Sequence, residues 1–236
     1  MRMYQLHLGD CFEVLKNMPD KSVDHIMTDP PYGERTHKGA RSGTRSDCNL
    51  GEKVLIDFDY IPEERFYLFC QEAIRVSRRW VIFTCDLNYA GKIQDREKLG
   101  QYLVRVGCWV KPNAAPQFTG DRPGQGWEAV VILHPDGAKR WNGGGHHAVW
   151  VCNIVRGKHP TKKPPALIKK WLDQFTDIRE TIFDPFMGEG TTGECCLQMG
   201  RNFIGVEIDP KWFNVAKKQI ENSEAQLGLF EGVVNL

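Results

Sequence analysis

The tetrapeptide Asp29-Pro30-Pro31-Tyr32 combines residue types that could hold an amine for chemical attack. The Asp29 carboxylate and the Pro30 carbonyl are hydrogen-bond acceptors, and together they could bind the hydrogens of one amino group. Such contacts would favour a pyramidal nitrogen whose lone pair points at an electrophile. The prolines hold φ at about −65° and stiffen the turn. Taken alone, however, the tetrapeptide could equally be a rigid turn at the end of a strand.

An exocyclic amine of a nucleic-acid base is the kind of nucleophile that needs this help, because its lone pair is delocalised into the ring. The Tyr32 ring could stack on such a base, a contact worth about 1–3 kcal/mol. A base in a duplex must first leave the helix to reach the pocket. No deprotonation before attack is required, so Asp29 need not have a raised pKa. We expect Asp29 to orient the amine and to stabilise the charge that develops on it.

A second candidate site is the glycine-rich turn between a predicted strand, 181–184, and a predicted helix, 191–199. Its glycines have the spacing GxGxxG, and they are Gly188, Gly190 and Gly193. Glu207 ends the next predicted strand, about 20 residues further on, where a carboxylate could bind ribose hydroxyls. This unit alone fits a nicotinamide dinucleotide, S-adenosylmethionine or a tight turn without a ligand.

Two details favour S-adenosylmethionine over a dinucleotide. The glycine turn lies near the end of the sequence with only one βαβ unit around it, whereas a dinucleotide domain needs a second mononucleotide half. In addition, no dehydrogenase requires the Asp29 tetrapeptide.

Hydrophobic periodicity predicts the elements that must position these residues. The predicted strands are 4–8, 23–28, 80–85, 101–111, 127–134, 181–184 and 202–207. The predicted helices are 62–77, 164–175, 191–199 and 210 to about 222. Residues 135–160 read as irregular, and the last fourteen residues carry no strong signal. Because strand 23–28 runs directly into Asp29, the tetrapeptide is expected at the carboxyl end of a strand in an open α/β sheet.

Composition is that of a globular protein with one domain over residues 1–236, since 41% of the 236 residues are hydrophobic and 26% are charged. No apolar run is long enough to span a membrane and no secretory leader is visible, so a cytoplasmic protein is expected. The eight cysteines are widely spaced except for Cys195-Cys196, which predicts reduced thiols. His146 and His147 lack a second cluster of ligands, so no metal is predicted.

A formal net charge of +1 is low for a nucleic-acid binder, but two segments concentrate basic residues. One is a predicted mobile loop at about 33–52, and the other is a predicted small target-recognition insertion at about 135–158. Solvated basic loops are the simpler interpretation. If the segments flank the pocket, their candidate DNA contacts are Arg35, Lys38, Arg41, Arg45, Lys139, Arg140, Arg156 and Lys158.

With these motifs in order, the sequence resembles the DNA N4-cytosine/N6-adenine amino-methyltransferases of the β order, in which the catalytic tetrapeptide precedes the cofactor motif. Four further segments match elements of that family over about Leu8 to Lys218. They are Gly9-Asp10-Cys11, His159-Pro160-Thr161-Lys162-Lys163-Pro164, the stretch from Asp184 to Thr192, and Val206-Glu207. Lys162-Lys163 departs from the usual Gln-Lys or Glu-Lys pair, which we expect to be harmless.

The resemblance implies a Rossmann-like class I methyltransferase fold, with a mostly parallel twisted sheet covered by helices on both faces. It implies that Asp10 contacts the adenine of S-adenosylmethionine and that Thr161 lies near its methionine end. The full set of implied cofactor residues is Asp10, Cys11, Asp29, His159, Thr161, Asp184, Phe186, Gly188, Gly190, Thr191, Thr192, Glu207 and Ile208. Trp109 could line the target pocket or belong to the core.

The expected activity is site-specific methylation of the N6 amine of a flipped adenine in duplex DNA. Asp29 favours adenine over cytosine, because the resemblance more often brings Ser for N4-cytosine. Methylation of an RNA base or a protein amine, an NAD-dependent oxidoreductase and a non-catalytic DNA-binding protein are the alternatives. A homodimer and a separately encoded restriction endonuclease are the partners that the resemblance suggests besides DNA.

Overall fold

The computed structural model describes residues 3–33, 60–117, 120–155 and 162–234, with side chains described as far as residue 226. Its strands are β1 (Tyr4–Leu8), β2 (His25–Thr28), β3 (Val81–Cys85), β4 (Leu103–Val110), β5 (Trp127–Leu133), β6 (Val149–Val151), β7 (Thr181–Asp184) and β8 (Asn202–Glu207). Its α-helices are α1 (Cys11–Asn17), α2 (Glu63–Val76), α3 (Leu87–Lys92), α4 (Pro165–Phe175), α5 (Thr191–Gln198) and α6 (Pro210–Val234).

The strands form one sheet in the order β1-β8-β7-β2-β3-β5-β4-β6. All neighbouring pairs are parallel except the two that involve β5, which runs against β3 and β4. From β2 the chain proceeds to β3 on one side, and from β7 it proceeds to β8 on the other. The topological switch point therefore lies between β2 and β7, where open α/β sheets bind ligands beyond the carboxyl ends of their strands.

Helices cover both faces of the sheet, as the alternation of side chains in the central strands requires. On one face Phe83 packs against Phe66 of α2, with ring centroids 5.8 Å apart. On the other face Trp150 packs against Trp171 of α4 at 5.9 Å. The predicted α/β architecture with a mostly parallel sheet is confirmed.

All seven predicted strands and all four predicted helices are present, with small shifts at their ends. The prediction missed α1, α3 and β6, and it ended α6 twelve residues too early. β6 was missed because it has only three residues, too few for a recognisable alternation. Its partner, β4, lies about 40 residues earlier, so the pairing leaves no local pattern in the sequence. α1 and α3 are short and depend on the Asp10 and Asp86 side chains, which accept hydrogen bonds from their first-turn amides.

Among the helices in the described part of the chain, none is both long and apolar enough to cross a membrane.

The tight packing of α5 on the sheet can be tested at Gly193. A Cβ atom there would lie 2.6 Å from Phe203 and from Ile220, so we expect Gly193→Ala to lower the free energy of unfolding by about 1–3 kcal/mol. The matched control is Gly91→Ala in α3, where an added Cβ meets nothing and helix propensity should raise stability by up to about 1 kcal/mol. Urea unfolding measures both, and equal effects would contradict this packing.

Candidate active site

The carboxyl edge of the sheet brings together four acidic residues that the motifs contain. Asp29 follows β2, Asp184 ends β7, Glu207 ends β8, and Asp10 follows β1 two residues after its end. These four strands are adjacent in the order β1-β8-β7-β2. Parallel strands thus gather residues far apart in sequence at the switch point.

Both carboxylate oxygens of Asp29 have hydrogen-bond donors. The Thr84 hydroxyl donates to Oδ1, and the Lys163 ammonium donates to Oδ2 at 2.6 Å. Burial raises the pKa of Asp29, and the Lys163 charge and these hydrogen bonds lower it only in part. An orienting role does not require this raised pKa, and its cause is desolvation.

Glu128 is a residue of this edge that sequence reasoning missed. It lies near the start of β5, and its carboxylate accepts from the Tyr32 hydroxyl at 2.6 Å and from the Lys111 ammonium at 3.1 Å. Burial alone would raise its pKa, but Lys163, Lys111 and the Tyr32 hydroxyl lower the pKa to about 2. A lone acid beginning a strand that is otherwise apolar was the only signal available, and it is a weak one.

The tetrapeptide turn is held by its neighbours on both sides. The Tyr32 carbonyl accepts from the Ile61 amide at 3.3 Å, and the Gly33 amide donates to Asp86 at 2.9 Å. Pro30 is buried and Pro31 is half-buried. The Lys163 ammonium lies 5.7 Å from the centroid of the Tyr32 ring, within the range of a cation–π contact. Burial raises the pKa of Tyr32 well above its ordinary value, so the phenol remains a donor.

Trp109 belongs to the core. It is 2% exposed, and its indole N–H donates to the Cys152 carbonyl at 2.8 Å. Lys111 and Lys163 lie 5.5 and 5.8 Å from its ring centroid. Of the two interpretations left open by the sequence, the core position is the one observed, and the Trp109 ring lies close to the ammonium groups of both lysines.

The glycine turn after β7 has the geometry that its glycines predict. Gly188 and Gly190 have φ of 53° and 85°, in the left-handed region that favours glycine. The Gly188 amide donates to one oxygen of Glu207 at 2.9 Å, and the Asp209 amide donates to the other at 2.9 Å. An added Cβ on Gly188 would meet nothing within 4 Å, so open space lies against the turn.

Asp184 is buried beneath this turn and ties it to β2. Its Oδ1 accepts from the Thr28 hydroxyl at 2.5 Å and from the Phe186 amide at 3.1 Å, and Thr192 also bonds the carboxyl. Burial raises the pKa of Asp184 from 3.8 to about 6. Thr191 and Thr192 are themselves buried at the start of α5. This carboxyl therefore anchors the turn from inside.

Asp10 has a cap position and a charged partner. Its Oδ1 accepts from the Phe12 amide at the start of α1, and Arg65 donates to its Oδ2 at 2.5 Å. Cys11 is buried, and burial raises the pKa of its thiol to about 12. Ile208, just beyond β8, is 68% exposed and offers an apolar surface at the same edge. A role for these residues at the adenine end of a cofactor site stays a prediction.

Lys162 and Lys163 each form an ion pair with a different motif at the carboxyl edge of the sheet. Lys162 forms an ion pair with Glu189, which lies between the two glycines of the turn and is 4% exposed. Lys163 pairs with Asp29 after β2. Consecutive lysines thus contact the glycine turn and the tetrapeptide, so the Lys162 departure noted in the sequence has a structural role.

Eight of the predicted site residues lie outside the described part of the chain. They are the cofactor candidates His159 and Thr161 and the DNA candidates Arg35, Lys38, Arg41, Arg45, Arg156 and Lys158. The predicted loop at about 33–52 falls there too, apart from Gly33.

Lys139 and Arg140 do not flank the pocket as their sequence position led us to expect. The Arg140 carbonyl accepts from the Trp80 indole just before β3, and its guanidinium pairs with Asp177 at 2.7 Å ahead of β7. Both partners lie at the amino ends of parallel strands, whereas Asp29 lies at the carboxyl ends. This segment follows β5, and because β5 is antiparallel to β3, the last residues of β5 lie at the amino edge of the sheet.

This geometry fits an adenosyl ligand beside a bound amine. Open space at Gly188, a strand-end carboxylate at Glu207 and an exposed apolar Ile208 suit a nucleoside, and Asp29 with the Pro30 carbonyl suits an amino group. Among the described residues, no group of three or more His, Cys, Asp or Glu side chains could hold a metal ion.

The raised pKa of Asp184 predicts a pH dependence of stability. Because folded Asp184 binds a proton more tightly than the unfolded chain, the free energy of unfolding should fall as the pH rises from about 4 to about 6, by roughly 3 kcal/mol. Asp184→Asn should remove this contribution, whereas Asp173→Asn on the exposed face of α4 should keep it. Urea unfolding across this range measures the slopes, and identical slopes in both variants would contradict the assignment.

Comparisons with known proteins agree with this geometry. The sequence profile of a DNA methylase family, N6/N4 methyltransferases, matches residues 23–218. The chain is 27% identical to the type II methyltransferase M.HinfI of Haemophilus influenzae, over 90% of this chain and 67% of the relative. It is 28% identical to the type II methyltransferase M2.DpnII of Streptococcus pneumoniae, over 93% of this chain and 90% of the relative.

A solved structure shares the fold. The crystal structure of an M1.HpyAVI–SAM complex superposes with a TM-score of 0.67 and 24% identity, covering 92% of this chain and 98% of that one. The family profile spans most of the chain and includes both the tetrapeptide and the glycine turn. This chain is a member of the N6/N4 DNA methylase family.

Proposed function

We propose that the protein transfers a methyl group from S-adenosylmethionine to the N6 amine of adenine in duplex DNA. The observation that carries this proposal is the position of Asp29. Its carboxylate lies at the switch point of the sheet, directly after β2, and β2 is the neighbour of β7, the strand that leads into the glycine turn. The proposed amine acceptor thus lies next to the proposed nucleoside site.

The residues at this edge orient the amine. S-adenosylmethionine supplies an electrophilic methyl group on a sulfonium. Asp29 and the Pro30 carbonyl accept the two amine hydrogens, which directs the nitrogen lone pair towards that methyl. The N–CH3 bond would form as the bond from the sulfonium sulfur to the methyl breaks, which leaves a neutral thioether. As the nitrogen gains positive charge, the nearby Asp29 carboxylate stabilises it electrostatically and can then accept the surplus proton.

Tyr32 provides the stacking surface for the target base. Its hydroxyl is fixed by Glu128 and its carbonyl by the Ile61 amide, so the ring is positioned before a base arrives. A preorganised ring reduces the ordering cost when the flipped base enters.

The choice of adenine over cytosine is the finer part of the proposal. It is supported by Asp, rather than Ser, as the first residue of the tetrapeptide. Methylation at cytosine N4 is the second candidate, since the family profile names both N6 and N4 chemistry.

DNA would approach the carboxyl edge, where two basic segments begin and end. The first segment contains Arg35 to Arg45, and the residues that flank it, Gly33 and Ile61, both contact this edge. The second segment contains Arg156 and Lys158, and its flanking residues, Cys152 and Lys162, contact the edge as well. These six residues are therefore the proposed phosphate contacts. Within a single domain, the proposed recognition segment is the part of residues 135–158 that follows β6, because Lys139 and Arg140 lie at the opposite edge. A homodimer, a cognate endonuclease and a cytoplasmic location stay predictions.

Replacing Asp29 tests the proposed chemistry. DNA from cells that express the wild type should carry N6-methyladenine at one recurrent sequence, and Asp29→Ala should lower the extent of methylation at least about a hundredfold, because the amine loses its charged acceptor. Single-molecule sequencing of the modified bases measures both. N4-methylcytosine would replace the adenine assignment, and the absence of any methylated amine would refute the function.

The DNA surface can be tested by the salt dependence of binding. Arg41→Ala/Arg45→Ala should weaken duplex binding and reduce the slope of log affinity against log salt by about 2, one unit for each lost phosphate contact. Lys139→Ala/Arg140→Ala is the matched control at the opposite edge, and its slope should stay that of the wild type. Equal losses in the two variants would contradict the proposed surface.

A further inference from the structure

The Asp29 carboxylate is fully engaged before any base is present. Thr84 donates to Oδ1 and Lys163 donates to Oδ2 at 2.6 Å. A target amine must bind the same carboxylate. Thr84 is a buried residue of β3, while Lys163 lies in the segment that leads into α4. Lys163 is therefore the donor that can move away from Asp29 when a target amine binds.

Glu128 is a second anion within reach of the same ammonium. The Lys163 nitrogen lies 3.4 Å from Oε2 of Glu128, slightly beyond the usual length of a hydrogen bond. A small displacement away from Asp29 would make this contact a direct one. The two carboxylates thus offer Lys163 alternative positions.

Burial makes a second partner necessary. The side chains of Lys163, Glu128 and Asp29 are 11%, 20% and 22% exposed, so an unpaired charge among them would be costly. With Lys111, which pairs with Glu128 at 3.1 Å, the cluster contains two acids and two bases. Lys163 can leave Asp29 only if another carboxylate compensates its charge.

We propose that Lys163 and Glu128 are positioning residues for the methyl transfer proposed above, on which this inference rests. Lys163 holds Asp29 until the target amine displaces it, and Glu128 then receives the ammonium while it continues to orient the Tyr32 ring. No covalent bond changes in this exchange. Hydrogen bonds to Asp29 pass from an ammonium to the base amine.

The charges around Asp29 determine what the loss of Lys163 would do. The titratable groups that face this carboxylate from the surrounding elements are Lys163, Glu128, Tyr32, Asp184 and Cys85, with Lys111 behind Glu128. Of these, Lys163 is the cation in direct contact with Asp29. Without it, burial and Glu128 would both raise the pKa of Asp29, and a protonated Asp29 is a poorer acceptor.

Single-turnover methyl transfer to a mapped target duplex, measured against pH, tests the proposal. Lys163→Met should slow transfer at least about tenfold at pH 7, with a recovery of about tenfold per pH unit as Asp29 ionises. Lys163→Arg should keep the pH profile of the wild type because its charge persists. Lys169→Met, an exposed lysine of α4, is the matched control and should behave as the wild type.

A readout without cofactor or DNA separates this inference from the proposed function. The carboxyl carbon-13 resonance of Asp29, assigned with Asp29→Asn, should titrate at higher pH in Lys163→Met than in the wild type. An unchanged Asp29 titration, or a pH profile parallel to that of the wild type, would overturn the role of Lys163.

Glu128→Gln tests the receiving anion. The amide keeps an acceptor for the Tyr32 hydroxyl but removes the charge that would take Lys163, so KM for DNA should rise several-fold more than kcat falls. A fall in kcat with an unchanged KM would overturn the exchange. A wild type that transfers no methyl at all would instead refute the proposed function, and the Asp29 titration would still report on the ion pair.

Discussion

The hydrogen bond from Thr28 to Asp184 is the contact on which the rest of the site depends. It joins the ends of β2 and β7, the two strands between which the chain changes direction across the sheet. Asp29 comes directly after Thr28, and the glycine turn comes directly after Asp184. One short bond between buried side chains therefore sets the separation between Asp29 and the glycine turn, the proposed amine acceptor and the proposed nucleoside site. Because desolvation accompanies that burial, Asp184 has an unusual proton affinity as the cost of its anchoring role.

Charge compensation is the second constraint on this edge. Asp29, Glu128 and Glu189 are all withdrawn from solvent, and each is paired with a lysine that comes from another part of the chain. Lys162 and Lys163 supply two of these contacts with adjacent side chains that point to different motifs. The segment before α4 is consequently fixed to the sheet by electrostatics as well as by the packing of the helix behind it.

The parts of this molecule that the sequence revealed are those with local signals. Alternation and helical spacing predicted the seven longer strands, and the motifs predicted which residues gather at the switch point. Glu128, Thr84 and the pairing of Lys163 could not be predicted, because they depend on which strands become neighbours. The placement of Lys139 and Arg140 failed for a related reason. They were close to the pocket motifs along the chain, but β5 runs backwards and carries the chain after it to the far edge.

The reversed direction of β5 has a further consequence for how this fold can diversify. In a purely parallel sheet, only residues that follow a strand reach the ligand-binding edge, so every contributor must come from a strand's end. An antiparallel strand instead has its first residues at the ligand-binding edge. Glu128 lies at this edge because it is near the start of β5, which is antiparallel to β3. The connection between β4 and β5 therefore opens onto the ligand-binding edge at both of its ends. Its length can change without altering the order of the strands, which makes it a natural position for variation among proteins of this architecture.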